Sequence, residues 1–162
     1  MGRRTSAAVG AVIAALVVVA AIIVFLSTDK RDKAELTPPE EYISSALSEG
    51  AFSVPLYAVD NAVGFMLYGL NAEDYSFAEF YFSDGASAEE LAYLTAKSEE
   101  GLNAALSAIS RRIDEQIAEC EGYLPAEIRK LENAVIRQAP DKRTISFAVA
   151  DDYTKLPATL YD

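Results

Sequence analysis

Histidine and tryptophan are absent from this 162-residue chain, and cysteine occurs once, at Cys120. Without histidine no Ser-His or Cys-His nucleophilic pair can be assembled, and a Cys/His metal site is excluded. With one thiol no disulfide can form within the chain. Cys120 instead falls on the apolar stripe of a predicted helix, where cysteine packs as a small apolar residue. Basic residues are also missing over a long stretch: between Ala34 and Ala96 there is no Lys or Arg, against 11 acids. From residue 29 onward the chain holds 12 basic and 25 acidic residues, a net charge of −13. Such a surface repels phosphate backbones, so nucleic acid is not an expected partner.

What the chain does have is an uncharged run of 20 residues that begins at Ala7 and ends at Leu26. As a helix it would be roughly 30 Å long, the thickness of a bilayer's hydrocarbon core. It exceeds the apolar stretch of a secretory signal peptide, and Ser27, Thr28, Asp29 and Lys30 lack a small-x-small cleavage pattern. An uncleaved signal-anchor is therefore expected over residues 1–28. Arg3 and Arg4 flank one side and Lys30, Arg31 and Lys33 the other, so charge alone barely orients the span. The short leader is a poor candidate for translocation, which places it inside and the following domain outside, as a single-pass protein of the cell membrane.

Residues 29–38 read as a linker, 39–152 as the domain and 153–162 as a loose tail. Thr37 is expected to cap a short helix over residues 39–48, and Asp60 a second over residues 61–68 that Gly69 stops. The aromatic-rich residues 75–83 predict a strand, Asp84-Gly85 a turn, and residues 89–97 the returning strand. Ser98 heads a long helix over residues 99–121. Its Leu102, Ala105, Leu106, Ile109, Ile113, Ile117 and Cys120 share one face, and Gly122 ends it. Residues 125–131 suggest a helical turn or two, and residues 134–138 and 143–151 two final strands. In the last strand Ile145, Phe147 and Val149 alternate with Thr144, Ser146 and Ala148, the pattern of one buried face. The expected fold is α+β: short N-terminal helices, then an antiparallel four-stranded sheet (β-β-α-β-β) under one long helix.

Glu90, Leu91, Ala92, Tyr93 and Leu94, the helix bearing Arg112 and Ile113, Tyr123-Leu124-Pro125, Val135 and the final apolar strand appear in a telling order. Over roughly residues 45–151 this resembles an uncharacterised bacterial family, a domain of unknown function found in small lipoproteins or single-anchor proteins of Gram-positive bacteria. The resemblance implies an extracytoplasmic domain behind an N-terminal anchor and brings no catalytic residues. This chain departs from the lipoprotein members in having no cysteine after its apolar run.

Carboxylates are the only catalytic raw material. Glu79 and Glu90 on the first two strands form the candidate pair of a glycan-acting hydrolase, the alternative to a binding module. Acids on a solvated strand face are the commoner situation, and tryptophan, a frequent sugar platform, is missing. Glu90 and Arg112 form a second candidate: a strand-to-helix ion pair closed by Tyr123, with a structural role or a carboxylate ligand on Arg112. Asp84, Asp141, Asp151 and Asp152 lack the spacing of a calcium loop. No metal or cofactor motif is read. The sequence points to a membrane-anchored extracytoplasmic module that binds protein or another cell-envelope component, in part because alternate aromatics of residues 75–83 would leave a second sheet face free.

Overall fold

The computed structural model describes residues 35–161 apart from 86 and 123. The expected anchor over residues 7–26 lies outside the described residues. Among the described residues no helix is long and apolar enough to cross a membrane. The elements run α1 (Pro39–Ser48), β1 (Tyr57–Ala58), α2 (Asn61–Tyr68), β2 (Tyr75–Phe82), β3 (Glu90–Ala96), α3 (Glu99–Cys120), α4 (Pro125–Glu132), β4 (Val135–Gln138) and β5 (Thr144–Val149). They form an α+β domain around one five-stranded antiparallel sheet in the order β1-β2-β3-β5-β4.

The fifth strand corrects the expected count of four. Tyr57 and Ala58 pair with Phe82 and Tyr81, and Pro55 two residues earlier, with no N–H to give a ladder, keeps β1 short. The N-terminus of α1 is also not as expected. Pro38 holds the cap position and no side chain bonds to the first-turn amides; the Thr37 amide donates instead to the Leu160 carbonyl. The other signals act as read: the Asp60 side chain accepts from Ala62 N–H, that of Ser98 from Gly101 N–H, and Gly69 ends α2 in the left-handed conformation.

The sheet is buried on both faces, not one. Ala78, Phe80, Ala92, Leu94, Ile145, Phe147 and Val149 face α2, α3 and α4. Leu91, Tyr93, Phe77, Tyr81 and Ala148 pack on the other side with Tyr42, Ile43 and Ala46 of α1. Thr144 and Ser146, expected to face solvent, are buried on this second side. Their hydroxyls are satisfied there: Thr144 bonds Asp141 and neighbours the Thr95 hydroxyl, and Ser146 bonds Tyr42. The face that was to remain free for an aromatic interface is therefore covered by α1.

Residues 153–161, expected to be loose, help to cover it. Leu156 and Leu160 are buried in this second cluster and Tyr161 bridges to Leu36. The Arg137 guanidinium donates to the Pro157 carbonyl.

Helix α2 lies close to β2 because Gly64 has no side chain. A Cβ there would overlap the Phe80 ring. Gly64→Ala is expected to destabilise the protein by about 1–3 kcal/mol through overpacking, read as a lowered urea midpoint. The double variant Gly64→Ala/Phe80→Leu should regain part of that loss. A neutral single variant would refute this close packing.

Candidate functional site

Two neighbouring carboxylates begin the central strand and diverge. Glu90 turns to the α3 side, in the parity of Ala92 and Leu94, and Glu89 turns away into the end of the sheet where β2 and β3 are joined. Each meets a cation from a different helix.

Glu90 is 1 % exposed and Arg112 of α3 meets it with a forked guanidinium. Arg112 Nε donates to both carboxylate oxygens at 2.9 Å, and Nη2 donates to Oε2 at 2.6 Å. The Tyr68 hydroxyl of α2 donates to Oε1 at 3.3 Å. The guanidinium carbon lies 5.1 Å from the ring centroids of both Tyr68 and Phe82, so the cation is held between two aromatic faces. Burial pushes the Glu90 carboxyl above its ordinary range although the Arg112 bonds pull it down. The same burial, with Glu90 beside it, raises Tyr68 well above a free phenol. The pairing of Glu90 and Arg112 expected from the sequence is thus present. Tyr123, expected to close it, lies outside the described residues.

The second cluster was not legible in the sequence. Glu89 accepts the Ser53 and Val54 amides at 2.9–3.2 Å and the Ser53 hydroxyl at 2.7 Å. Lys130 of α4, only 8 % exposed, bridges Glu89 and Glu127 at 3.0 Å each. Glu127 in turn accepts the Ser87 hydroxyl at 2.7 Å and the Ala88 amide at 2.8 Å. Four loops and elements are thereby pinned together: residues 53–54, residues 87–88, the start of β3 and α4. The available signal was the Glu127–Lys130 spacing of three on one helix face. The partners 35 to 41 residues away left no local trace.

Serine beside lysine raises the question of a Ser-Lys nucleophile, which needs a neutral amine as base. Lys130 Nζ is 3.3 Å from Ser53 Oγ and 3.4 Å from Ser87 Oγ. Burial alone would lower the Lys130 pKa, but the two carboxylates outweigh it and hold the amine above its ordinary value, charged. Both serine hydroxyls meanwhile donate to carboxylates. The geometry describes a satisfied clamp, with no activated nucleophile.

The candidate pair of Glu79 and Glu90 is not brought together. Glu79 stands on the parity of Phe77 and Tyr81, on the face opposite Glu90. It accepts the Tyr81 hydroxyl at 2.7 Å, and the phenol is pushed up to about 12 by burial and by Glu79. Glu79 is the single carboxylate lining a shallow depression of about 290 Å³ with Ala58, Val59, Asn61, Phe80 and Tyr81. Among the described residues no group of three or more Cys, Asp or Glu side chains could hold a metal ion. Cys120 is buried and free, its thiol pushed up by burial and by Glu127 and Glu119.

The protein is thus an α+β sheet domain whose buried charges are paired internally. Residues 58–150 match the family described as Domain of unknown function (DUF4358), which covers more than half of the chain, and the protein belongs to that family. No curated protein and no solved structure matches it.

Breaking the Glu90–Arg112 pair leaves a buried charge alone, so Arg112→Ala is expected to cost about 3–5 kcal/mol. Replacing both partners with apolar residues, Glu90→Leu/Arg112→Met, should recover most of that loss in urea denaturation. A loss below ~1 kcal/mol in Arg112→Ala would show that the pair does not fasten α3.

The Lys130 clamp predicts a pH dependence. Burial pushes Glu127 up, but bonds from Ser87, Ala88 and Lys130 outweigh it and hold its pKa below 4.5. In that window the unfolded chain binds the proton and the folded one does not, so this stability is present above pH 4.5 and lost as pH falls through the folded pKa. Glu90, raised by burial, acts with the opposite sign. Glu127→Gln should be less stable than the parent at pH 7, and the gap should narrow below pH 4.5 in urea melts. A gap independent of pH would refute the clamp's electrostatic role.

Proposed function

We propose that this chain is a membrane-anchored extracytoplasmic binding module at the cell envelope, whose partner is a protein or another envelope component. The carrying observation is the uncharged run of 20 residues, residues 7–26, followed within ten residues by Leu36, which among the described residues is bridged to Tyr161 of the folded domain. A span of that length matches a bilayer core. The chemistry of the domain supports binding over catalysis. Its buried carboxylates and cations are spent on one another, Ser53 and Ser87 beside Lys130 donate to carboxylates, and among the described residues Glu79 is the single carboxylate of its depression. The acid excess argues against nucleic acid as the partner. The hydrolase alternative loses its pair because Glu79 and Glu90 lie on opposite faces.

The test is topology together with extraction. A phosphatase reporter that folds only outside the cytoplasm, fused after Asp162, is expected to be active, and the chain should resist alkaline carbonate. An inactive reporter on a chain that carbonate releases would overturn the anchoring reading. Cross-linking in intact membranes followed by capture should then recover an envelope partner that the chain lacking residues 1–28 does not retain.

A further inference from the structure

Strand β2 has eight residues, but its outer neighbour β1 has two. The hydrogen-bond parity along β2 defines what that leaves open. The Ser83 amide donates to the Glu89 carbonyl, so the odd-numbered residues from 77 to 83 turn their N–H and C=O groups toward β3. The even-numbered ones turn outward: Phe82 opposes Tyr57, and the Phe80 carbonyl takes the Val59 amide. Ala78 is next in that series. There the chain leaves the sheet, because Asp60 caps α2 and Asn61 is already helical. Among the described residues none pairs with the outward N–H and C=O of Ala78. A ladder interrupted in this way is a template for another extended chain.

Two further features lie at the same place. The depression of about 290 Å³ lined by Ala58, Val59, Asn61, Glu79, Phe80 and Tyr81 sits where β1 stops. Its carboxylate, Glu79, accepts the Tyr81 hydroxyl, and among the described residues no Lys or Arg pairs with it. The nearest stretches of chain cannot supply one, since no Lys or Arg occurs between Ala34 and Ala96. Lys97, beyond the far end of β2, is turned to the Glu73 carbonyl, and Arg111 to the Tyr68 carbonyl and Glu115.

We propose that the edge of β2 beyond β1 docks an extended, lysine- or arginine-bearing segment of a partner protein, which adds a strand beside Ala78 and sets its cation on Glu79. This rests on the binding reading above and commits its partner to protein. The unpaired backbone groups select an extended chain, and the unpaired carboxylate in an acid-only stretch selects a cationic one. The two requirements fit one strand. A residue bonded to Ala78 has neighbours on the Glu79 face, where a long side chain reaches a directly or diagonally opposed partner. A second copy is the weaker occupant. The sheet's other edge, β4, has four residues, and its one cation, Arg137, is turned to the Pro157 carbonyl.

Amide hydrogen exchange of the full chain in phosphatidylcholine nanodiscs tests this, with the Tyr81 amide in the β3 ladder as internal reference. One probe is a short synthetic peptide of alternating lysine and valine. The other, of equal charge, alternates lysine and proline and holds a conformation that cannot join a ladder. The lysine–valine peptide should slow exchange at Ala78 several-fold and the lysine–proline peptide should not. Glu79→Gln should weaken the lysine–valine effect several-fold while exchange at Tyr81 stays as in the parent. Equal protection by both peptides reduces the contact to charge alone and overturns the proposal, as does no protection at Ala78 by either, or protection indifferent to Glu79→Gln. Protection at Ala78 that grows with protein concentration without peptide assigns the edge to a second copy and also overturns it. In each of these cases the anchored module is judged separately, by its reporter and carbonate extraction.

Discussion

Two adjacent carboxylates head the middle strand of a sheet that is covered on both faces, and that placement demands cations. Burying an ionised carboxylate without a partner costs several kcal/mol even after the protein relaxes. Because side chains alternate along a strand, Glu89 and Glu90 cannot share one partner. Arg112 comes from α3 and Lys130 from α4, so the same electrostatic necessity fixes two helices to one strand. α4 also packs along α3, and the three elements become mutually registered. The doublet is thus a locating device at the centre of the sheet.

The two cations are suited to their different sites. A planar guanidinium can take a carboxylate with a fork of N–H groups while its faces lie against Tyr68 and Phe82. A lysine has three donors and no preferred plane, which suits a point between Glu89, Glu127 and the hydroxyls of Ser53 and Ser87. Lys130 therefore ties loops, where Arg112 ties a helix. In the Lys130 clamp two carboxylates face one ammonium, and the surplus charge is absorbed by the backbone amides of Ser53, Val54 and Ala88. Those amides belong to loops, so the clamp also orders segments that the sheet ladder does not reach.

How much of this was readable follows from how local each signal is. The caps at Asp60 and Ser98, the Gly69 stop and the stripe on α3 depend on neighbours within four residues, and they hold in the structure. The Glu90–Arg112 pair was readable because a covering helix places its midpoint over the strand. The second covered face was not. Thr144 and Ser146 look like solvent-facing residues, yet a hydroxyl is tolerated in a core when Asp141 or Tyr42 answers it. Leu156 and Leu160, either side of Pro157, carry no periodicity that would announce packing, and only the α1 side of the sheet gives them a place. Glu89 with Lys130 is a contact across 41 residues between a loop and a short helix, which no spacing rule encodes. The anchor expected at residues 7–26 lies outside the described residues, and its reading rests on length and apolarity alone.

A domain that satisfies its buried charges internally has consequences for where its function resides. Glu90 is boxed in by Arg112 and Tyr68, and Glu89 and Glu127 by Lys130 and loop amides, so neither cluster offers a lone pair or proton to a visitor without first coming apart. Opening either would leave a charge stranded in the interior, a cost that an ordinary weak ligand does not offset. Recognition is then left to the surface, and the surface is markedly uneven. Most of it is acidic and hydrated, while the stretch from β1 through α2 is uncharged except for one cap and presents an apolar strip. The two buried clamps keep the acidic and the apolar surfaces in fixed relation, because each ties a helix to the strand at the centre of the sheet.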